Sequence, residues 1–125
     1  LRDRVVDFLI SDPLKKAEFD LLQADKRLSM GLYLFEKERF NLAESTISKG
    51  ENYFEDAIKN IKEAKKQGRD TGGLLTSLEN SSKKHTEILE DLQKKSKAEI
   101  KRKFGISLKR VLEFREEVKR IKSQI

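Results

Sequence analysis

Apolar and small residues return at alternating intervals of three and four along most of the chain, the spacing that aligns side chains on one face of an α-helix. From Leu14 the series runs Ala17, Leu21, Ala24, Leu28, Gly31 and Phe35. A second series runs Ala43, Ile47, Gly50, Phe54, Ala57, Ile61 and Ala64, and in both every second position is Ala or Gly. Asp12 followed by Pro13 reads as an N-cap and a first helical residue. One long helix is therefore expected from Pro13 to about Lys37. A turn near 38–40 leads to a second helix ending at about Gln67, with Asn41 and Glu44 spaced as a capping box at its start.

If the two helices fold back antiparallel, partners are residues whose numbers sum to 81 or 82. Large then meets large in Phe35 with Ile47, Leu28 with Phe54 and Leu21 with Ile61. Small meets small in Gly31 with Gly50, Ala24 with Ala57 and Ala17 with Ala64. A close seam through these small residues is expected, with the helix axes at or below the low end of the usual roughly 8–10 Å. Each interior glycine costs about 1 kcal/mol of helix propensity relative to alanine, which close packing would offset.

Gly68 to Gly73 is a glycine-rich loop, with Thr71 or Gly73 leading into a third helix. There Leu75, Leu78, Ser82, His85, Leu89 and Leu92 keep the rhythm, supported by Leu74 and Ile88. Ser96 with Glu99 offers another capping box, after which Ile100, Phe104, Ser107, Val111, Phe114, Val118, Ile121 and Ile125 continue it. The pattern crosses Gly105 without a change of phase, so the helix is expected to continue there; a break with Ser107 as a new cap is the alternative. Folding about Ser96 places His85 against Ser107 and Leu89 against Phe104. Ahead of Asp12, Arg2 to Ile10 reads as a short helix with Val5, Val6, Leu9 and Ile10 buried. The expected architecture is all-α: an antiparallel helical bundle of two long hairpins, four long helices in all, plus a short N-terminal helix. Hairpin one covers about 13–67, the loop 68–73 and hairpin two about 74–125.

At 125 residues the chain fits a single domain, 1–125, large enough for a modest core. Charged residues form 40% and hydrophobic ones 36%, which suits long amphipathic helices. The apolar runs are a few residues long, so no segment spans a bilayer. No signal peptide is visible, but the first residue is Leu1, which leaves room for an upstream signal, anchor or domain. The net charge of +6 is uneven: from Lys94 to Ile125, 12 Lys/Arg less 4 Asp/Glu gives +8, and the rest, 16 less 18, gives −2. The basic character belongs to the last helix.

Little here points to catalysis. With no cysteine, disulfides, thiolate catalysis and Cys-ligated zinc are excluded. One histidine, preceded three residues earlier by Ser82, provides neither a His-based dyad nor a Glu-x-x-His metal pair. The 68–73 loop lacks the Gly-Lys-Ser/Thr ending of a phosphate cradle. No catalytic residue, cofactor or metal site is therefore expected. His85 could act as a pH switch, but a polar layer with Ser107 or Ser82 is the favoured reading. Glu36, Glu38 and Glu44, or Glu113, Glu116 and Glu117, read as solvated faces rather than cation sites. The candidate anion-binding residues are Lys94, Lys95, Lys97, Lys101, Arg102, Lys103, Lys109, Arg110, Arg115, Lys119, Arg120 and Lys122. Their charge suits nucleic acid, anionic lipid or a cell-wall polymer, but no exposed aromatics are interleaved for base stacking.

Arg27-Leu28, Phe35-Glu36-Lys37, Phe40-Asn41-Leu42-Ala43 and above all Thr46 to Phe54 resemble a family of uncharacterised bacterial all-helical domains of unknown function. The likeness extends loosely through His85 and Leu89, and its motif is one of packing. The resemblance implies an extracytoplasmic bacterial domain, often behind a signal peptide or membrane anchor. Tetratricopeptide-like hairpins also place small residues at helix crossings, but they repeat every 34 residues, and no second copy of the Ala/Gly pattern occurs. The leading expectation is a non-enzymatic structural or protein-interaction domain with an unidentified protein partner. Anionic-polymer binding is the alternative.

Overall fold

The computed structural model describes residues 11–124. They form four helices, α1 (Pro13–Glu36), α2 (Phe40–Lys66), α3 (Gly72–Lys95) and α4 (Ala98–Ser123), with no strand among the described residues. The short helix expected over Arg2 to Ile10 lies outside the described residues, as does Ile125.

The start of α1 follows its sequence signal: Asp12 Oδ1 accepts from the Leu14 N–H at 2.9 Å, and Pro13 fills the first helical position. The same oxygen accepts from Arg69 Nη1 at 2.7 Å, tying this end to the loop after α2. The ends of α1 and α2 share one geometry. After α1 the N–H groups of Glu38 and Arg39 donate to Phe35 and Leu34 carbonyls; after α2 those of Gly68 and Arg69 donate to Lys65 and Ala64. This is the Schellman closure, which needs a left-handed residue, and that residue is Glu38 (φ 62°) in one case and Gly68 (φ 74°) in the other.

Neither capping box forms. Phe40 is already helical, so Asn41 lies inside the first turn of α2 and Arg39 takes the N-cap without a side-chain hydrogen bond. Ser96 Oγ donates back to the Leu92 carbonyl at 2.6 Å, closing α3 rather than opening α4, and Glu99 pairs with Arg102 instead. The loop is shorter than expected, because Gly72 and Gly73 belong to the first turn of α3 and Asp70 Oδ1 accepts from the Gly72 N–H at 3.0 Å. Helix α4 runs unbroken through Gly105.

The packing is strongest between α1 and α2 and between α3 and α4, with α4 also laid on α2 and a sparser contact between α1 and α3. Both principal pairs are antiparallel. Gly31 lies by Ile47 and Asp20 bonds Asn60, while Gln93 lies by Gly105 and Glu79 pairs with Lys122. The α1–α2 register differs from the size-matched one. The atoms nearest a Cβ at Gly31 are those of Ile47 and the Ala43 carbonyl; at Gly50 they are Arg27 Cβ and the Ala24 backbone. The Ile47 side chain thus fills the space beside Gly31, as a knob in a hole, whereas Gly50 backs directly onto Ala24, so small residues do meet there, in a pairing other than the size-matched one. Ala17, Ala24, Ala57 and Ala64 are fully buried, and both glycines are buried with them.

Helix α2 carries a second buried stripe, Ile47, Glu51, Phe54, Ile58 and Ile61, at the same alternating spacing. Its middle residues face the other helix pair: the Phe54 ring stacks on Phe114 at 5.4 Å and meets His85 edge-on at 5.7 Å.

Candidate functional site

Three features stand out above the packed core: a polar layer inside it, the basic face of α4 and an apolar outer face on α1.

The polar layer begins at Asp25, which continues the apolar stripe Leu21, Leu28, Leu32 and Phe35 on α1. Its Oδ1 accepts from Ser81 Oγ at 2.5 Å and from His85 Nε2 at 2.9 Å. A carboxylate can only accept, so the ring proton sits on Nε2. Burial alone would raise the pKa of Asp25, but the hydrogen bonds from His85 and Ser81 outweigh it and hold the carboxyl below its usual range. His85 therefore bonds across to α1. It does not pair with Ser107 or Ser82 as the folded register suggested: Ser82 Oγ donates to the Glu79 carbonyl, and Ser107 bonds Glu51.

Glu51 is the less expected member. It is 1% exposed, and burial pushes its carboxyl up to about 8, a rise that Arg110 and the Ser107 hydrogen bond only partly offset. Arg110 Nη1 stands 3.9 Å from Oε1, and Oε2 has no hydrogen-bond partner. Burial thus favours the protonated acid at Glu51, and the long Arg110 contact offsets this only in part.

Of the twelve basic residues expected on the last helix, Lys94 and Lys95 end α3, Lys97 is the N-cap of α4 and the other nine are spread along α4; half of the twelve are engaged within the molecule. Lys95 pairs with Asp91, Arg102 with Glu99, Lys119 with Glu116, Arg120 with Glu117 and Lys122 with Glu79. Arg110 reaches Glu55 at 3.5 Å and lies 5.3 Å over the Phe114 ring. Lys94, Lys97, Lys101, Lys103, Lys109 and Arg115 have no ion pair among the described residues. Of the acidic clusters, Glu117 is held below its usual range by Lys62 and Arg120. No group of three His, Asp or Glu side chains among the described residues is placed to hold a metal ion.

On α1, Leu22, Met30 and Tyr33 are 52, 55 and 59% exposed. Their spacing puts them within one side of the helix. Lys37 Nζ lies 5.4 Å over the Tyr33 ring, and Leu22 borders a groove of about 540 Å³ between α1 and α3, where Leu21 and Leu74 line it beside a polar majority that includes Asp25, Asn80 and Ser81. Sequence reasoning passed over this face because it followed the buried stripe; the outward apolar residues are too widely spaced to make a periodic signal.

An all-helical domain with a packed seam, an internal polar layer and an apolar outer face is the class that these features define. The chain belongs to the family described as Domain of unknown function (DUF5667), whose model matches residues 3–99. The match takes in α1 to α3 and the first residues of α4, so most of the basic helix lies beyond it. No curated protein and no solved structure matches the chain. No helix among the described residues is long and apolar enough to cross a membrane.

Proposed function

We propose that this is a non-enzymatic protein-interaction domain of a longer bacterial extracytoplasmic protein. In it two helical hairpins, packed as one domain, form a rigid scaffold that presents the outer face of α1 to a protein partner. The observation that carries the reading is that face: Leu22, Met30 and Tyr33, each more than half exposed, on a helix whose opposite side is locked against α2. The non-enzymatic part is supported by where the reactive groups lie. The single imidazole is 2% exposed and bonded to Asp25, and the most perturbed carboxyl, Glu51, is 1% exposed, so neither can meet a substrate.

A second reading, charge-driven binding of nucleic acid, anionic lipid or a cell-wall polymer, draws on the unpaired Lys94, Lys97 and Lys101 near the α3–α4 turn. The internal pairing of Lys95, Arg102, Lys119, Arg120 and Lys122 weighs against it. The test places a photo-crosslinking phenylalanine analogue at Tyr33 in the full-length protein in its own host. Discrete protein adducts that survive raised salt and vanish with Leu22→Glu and Met30→Glu are expected. Retention on heparin that falls steeply with salt, and is lost when Lys101, Arg102, Lys109 and Arg110 are neutralised, would replace this reading with the second.

A further inference from the structure

At the end of the bundle where the α1–α2 and α3–α4 turns meet, Phe40, Lys95, Ser96, Lys97 and Ile100 line a cavity of about 260 Å³. Its apolar wall is anchored in the core. The Phe40 ring packs edge-on against Phe35 at 5.0 Å, and Phe35 against the fully buried Phe104 at 5.9 Å. Phe40 nonetheless stays 38% exposed, so a large ring is held in place with part of its surface in water. Such a preorganised apolar surface loses little conformational freedom on binding.

The rim of this cavity is cationic. Lys95 is already paired with Asp91 at 2.8 Å, but Lys97 has no ion pair among the described residues. No side chain caps the first turn of α4, which leaves its amide donors on the same side as Lys97. The hollow is smaller than the roughly 300–1,000 Å³ of drug-sized ligand sites, which suits a single side chain rather than a cofactor. An apolar hollow bordered by an unpaired ammonium matches an apolar group with a carboxylate beside it.

We propose that this cavity receives one apolar side chain of an acidic peptide segment on a partner protein, with a neighbouring Asp or Glu carboxylate set against Lys97. The assignment rests on the protein-interaction reading and gives it a second contact point, at the bundle end. A phosphate polymer offers no apolar anchor for Phe40 and Ile100, so the charge of α4 alone does not account for the hollow.

The test is an amide-resolved NMR titration of the protein with a terminally blocked pentapeptide, a leucine flanked on each side by two glutamates. Shifts confined to Phe40 and to Lys95 through Ile100 are expected, with binding at least tenfold weaker for Lys97→Glu and for Phe40→Ser. Lys97 is exposed, so its variant keeps the fold, and unshifted core resonances check the other. Replacing the central leucine by alanine, or the glutamates by glutamines, should cost a similar factor. No shift at millimolar peptide, an equal response to the alanine peptide, or a stronger response to vesicles of anionic lipid overturns the proposal. If the cavity is silent while crosslinking from Tyr33 still yields partner adducts, the cavity assignment falls and the interaction reading stands; loss of both removes both.

Discussion

Ile47 occupies the space that a side chain on Gly31 would need. A Cβ built at Gly31 overlaps Ile47 Cγ1, comes 2.7 Å from its Cδ1 and 3.1 Å from the Ala43 carbonyl. Overpacking of this kind costs about 1–3 kcal/mol, more than the roughly 1 kcal/mol that alanine gains over glycine in helix propensity. Gly31→Ala should therefore destabilise by up to about 2 kcal/mol, and Gly31→Leu by more. In an Ile47→Ala background the same Gly31→Ala change should turn neutral or stabilising. A urea-denaturation double-mutant cycle measures this, and additive effects would mean that the two side chains do not share that space.

Gly105 provides the contrast. The closest atom to a Cβ there is Gln93 Nε2 at 2.7 Å, the far end of a flexible side chain, and helix α4 is regular through the position. The amide can swing aside, so Gly105→Ala should stabilise by about 1 kcal/mol. A lower melting temperature for this variant would show that Gln93 is fixed.

Glu51 sets a pH dependence whose sign follows from its raised pKa. The folded carboxyl titrates at about 8 and the unfolded one near 4.5. Between those values the native state holds a proton that the unfolded chain has released, so stability declines as pH rises through the window and levels off above it. Glu51→Gln keeps the shape and removes the titration. Its stability should match the parent near pH 4, exceed it near pH 9 by on the order of a few kcal/mol, and lack the intervening slope. Parallel profiles for the two proteins in urea melts across this range would refute the assignment.

The helices were legible in the sequence because one interval pattern, repeated without a phase error, fixes both helix type and buried face. The polar layer was less so, though its signal exists. Asp25 and Glu51 each replace an apolar residue in a second stripe, Leu21-Asp25-Leu28 on α1 and Ile47-Glu51-Phe54 on α2. Tracing only the stripe that joins α1 to α2 leaves both acids looking like surface charge. The α1–α2 register was misread because matching sizes across the seam assumes that residues face each other, whereas helices interlock by seating side chains between those of the neighbour. The capping boxes failed because neither candidate stands at its helix start: Phe40 is already helical ahead of Asn41, and Lys97, not Ser96, takes the N-cap of α4.

Removing the Asp25 carboxylate strands two buried donors. Ser81 and His85 are 8 and 2% exposed, and both give a hydrogen bond to Asp25 Oδ1. Leaving such groups unpaired costs about 1–3 kcal/mol, toward the low end here because the half-exposed site admits water. Asp25→Ala should lose about that much at pH 7. The folded pKa of Asp25 is depressed, so its contribution is complete above the unfolded value near 4 and fades as pH falls through the folded one. The difference between parent and variant should therefore narrow in acid. A constant difference down to pH 2 would place the effect in packing instead of charge.

Glu38 and Gly68 do the same job with different residues. Each closes a helix by giving its N–H to a carbonyl three residues back while holding a left-handed backbone, φ 62° and 74°. Glycine adopts that conformation freely, whereas a side chain meets its own carbonyl there at a cost of roughly 1–2 kcal/mol. Glu38 is exposed and makes no ion pair or side-chain hydrogen bond among the described residues, so nothing is lost by removing its carboxylate. Glu38→Gly should raise stability by up to about 1 kcal/mol, less than the full strain because the unfolded chain gains freedom as well. Gly68→Ala, where no neighbour lies within 4 Å of the new methyl, should fall by a similar amount through backbone strain alone. Thermal melts of the two variants should move in opposite directions; if Glu38→Gly melts lower than the parent, the left-handed backbone at 38 is not the source of strain between α1 and α2.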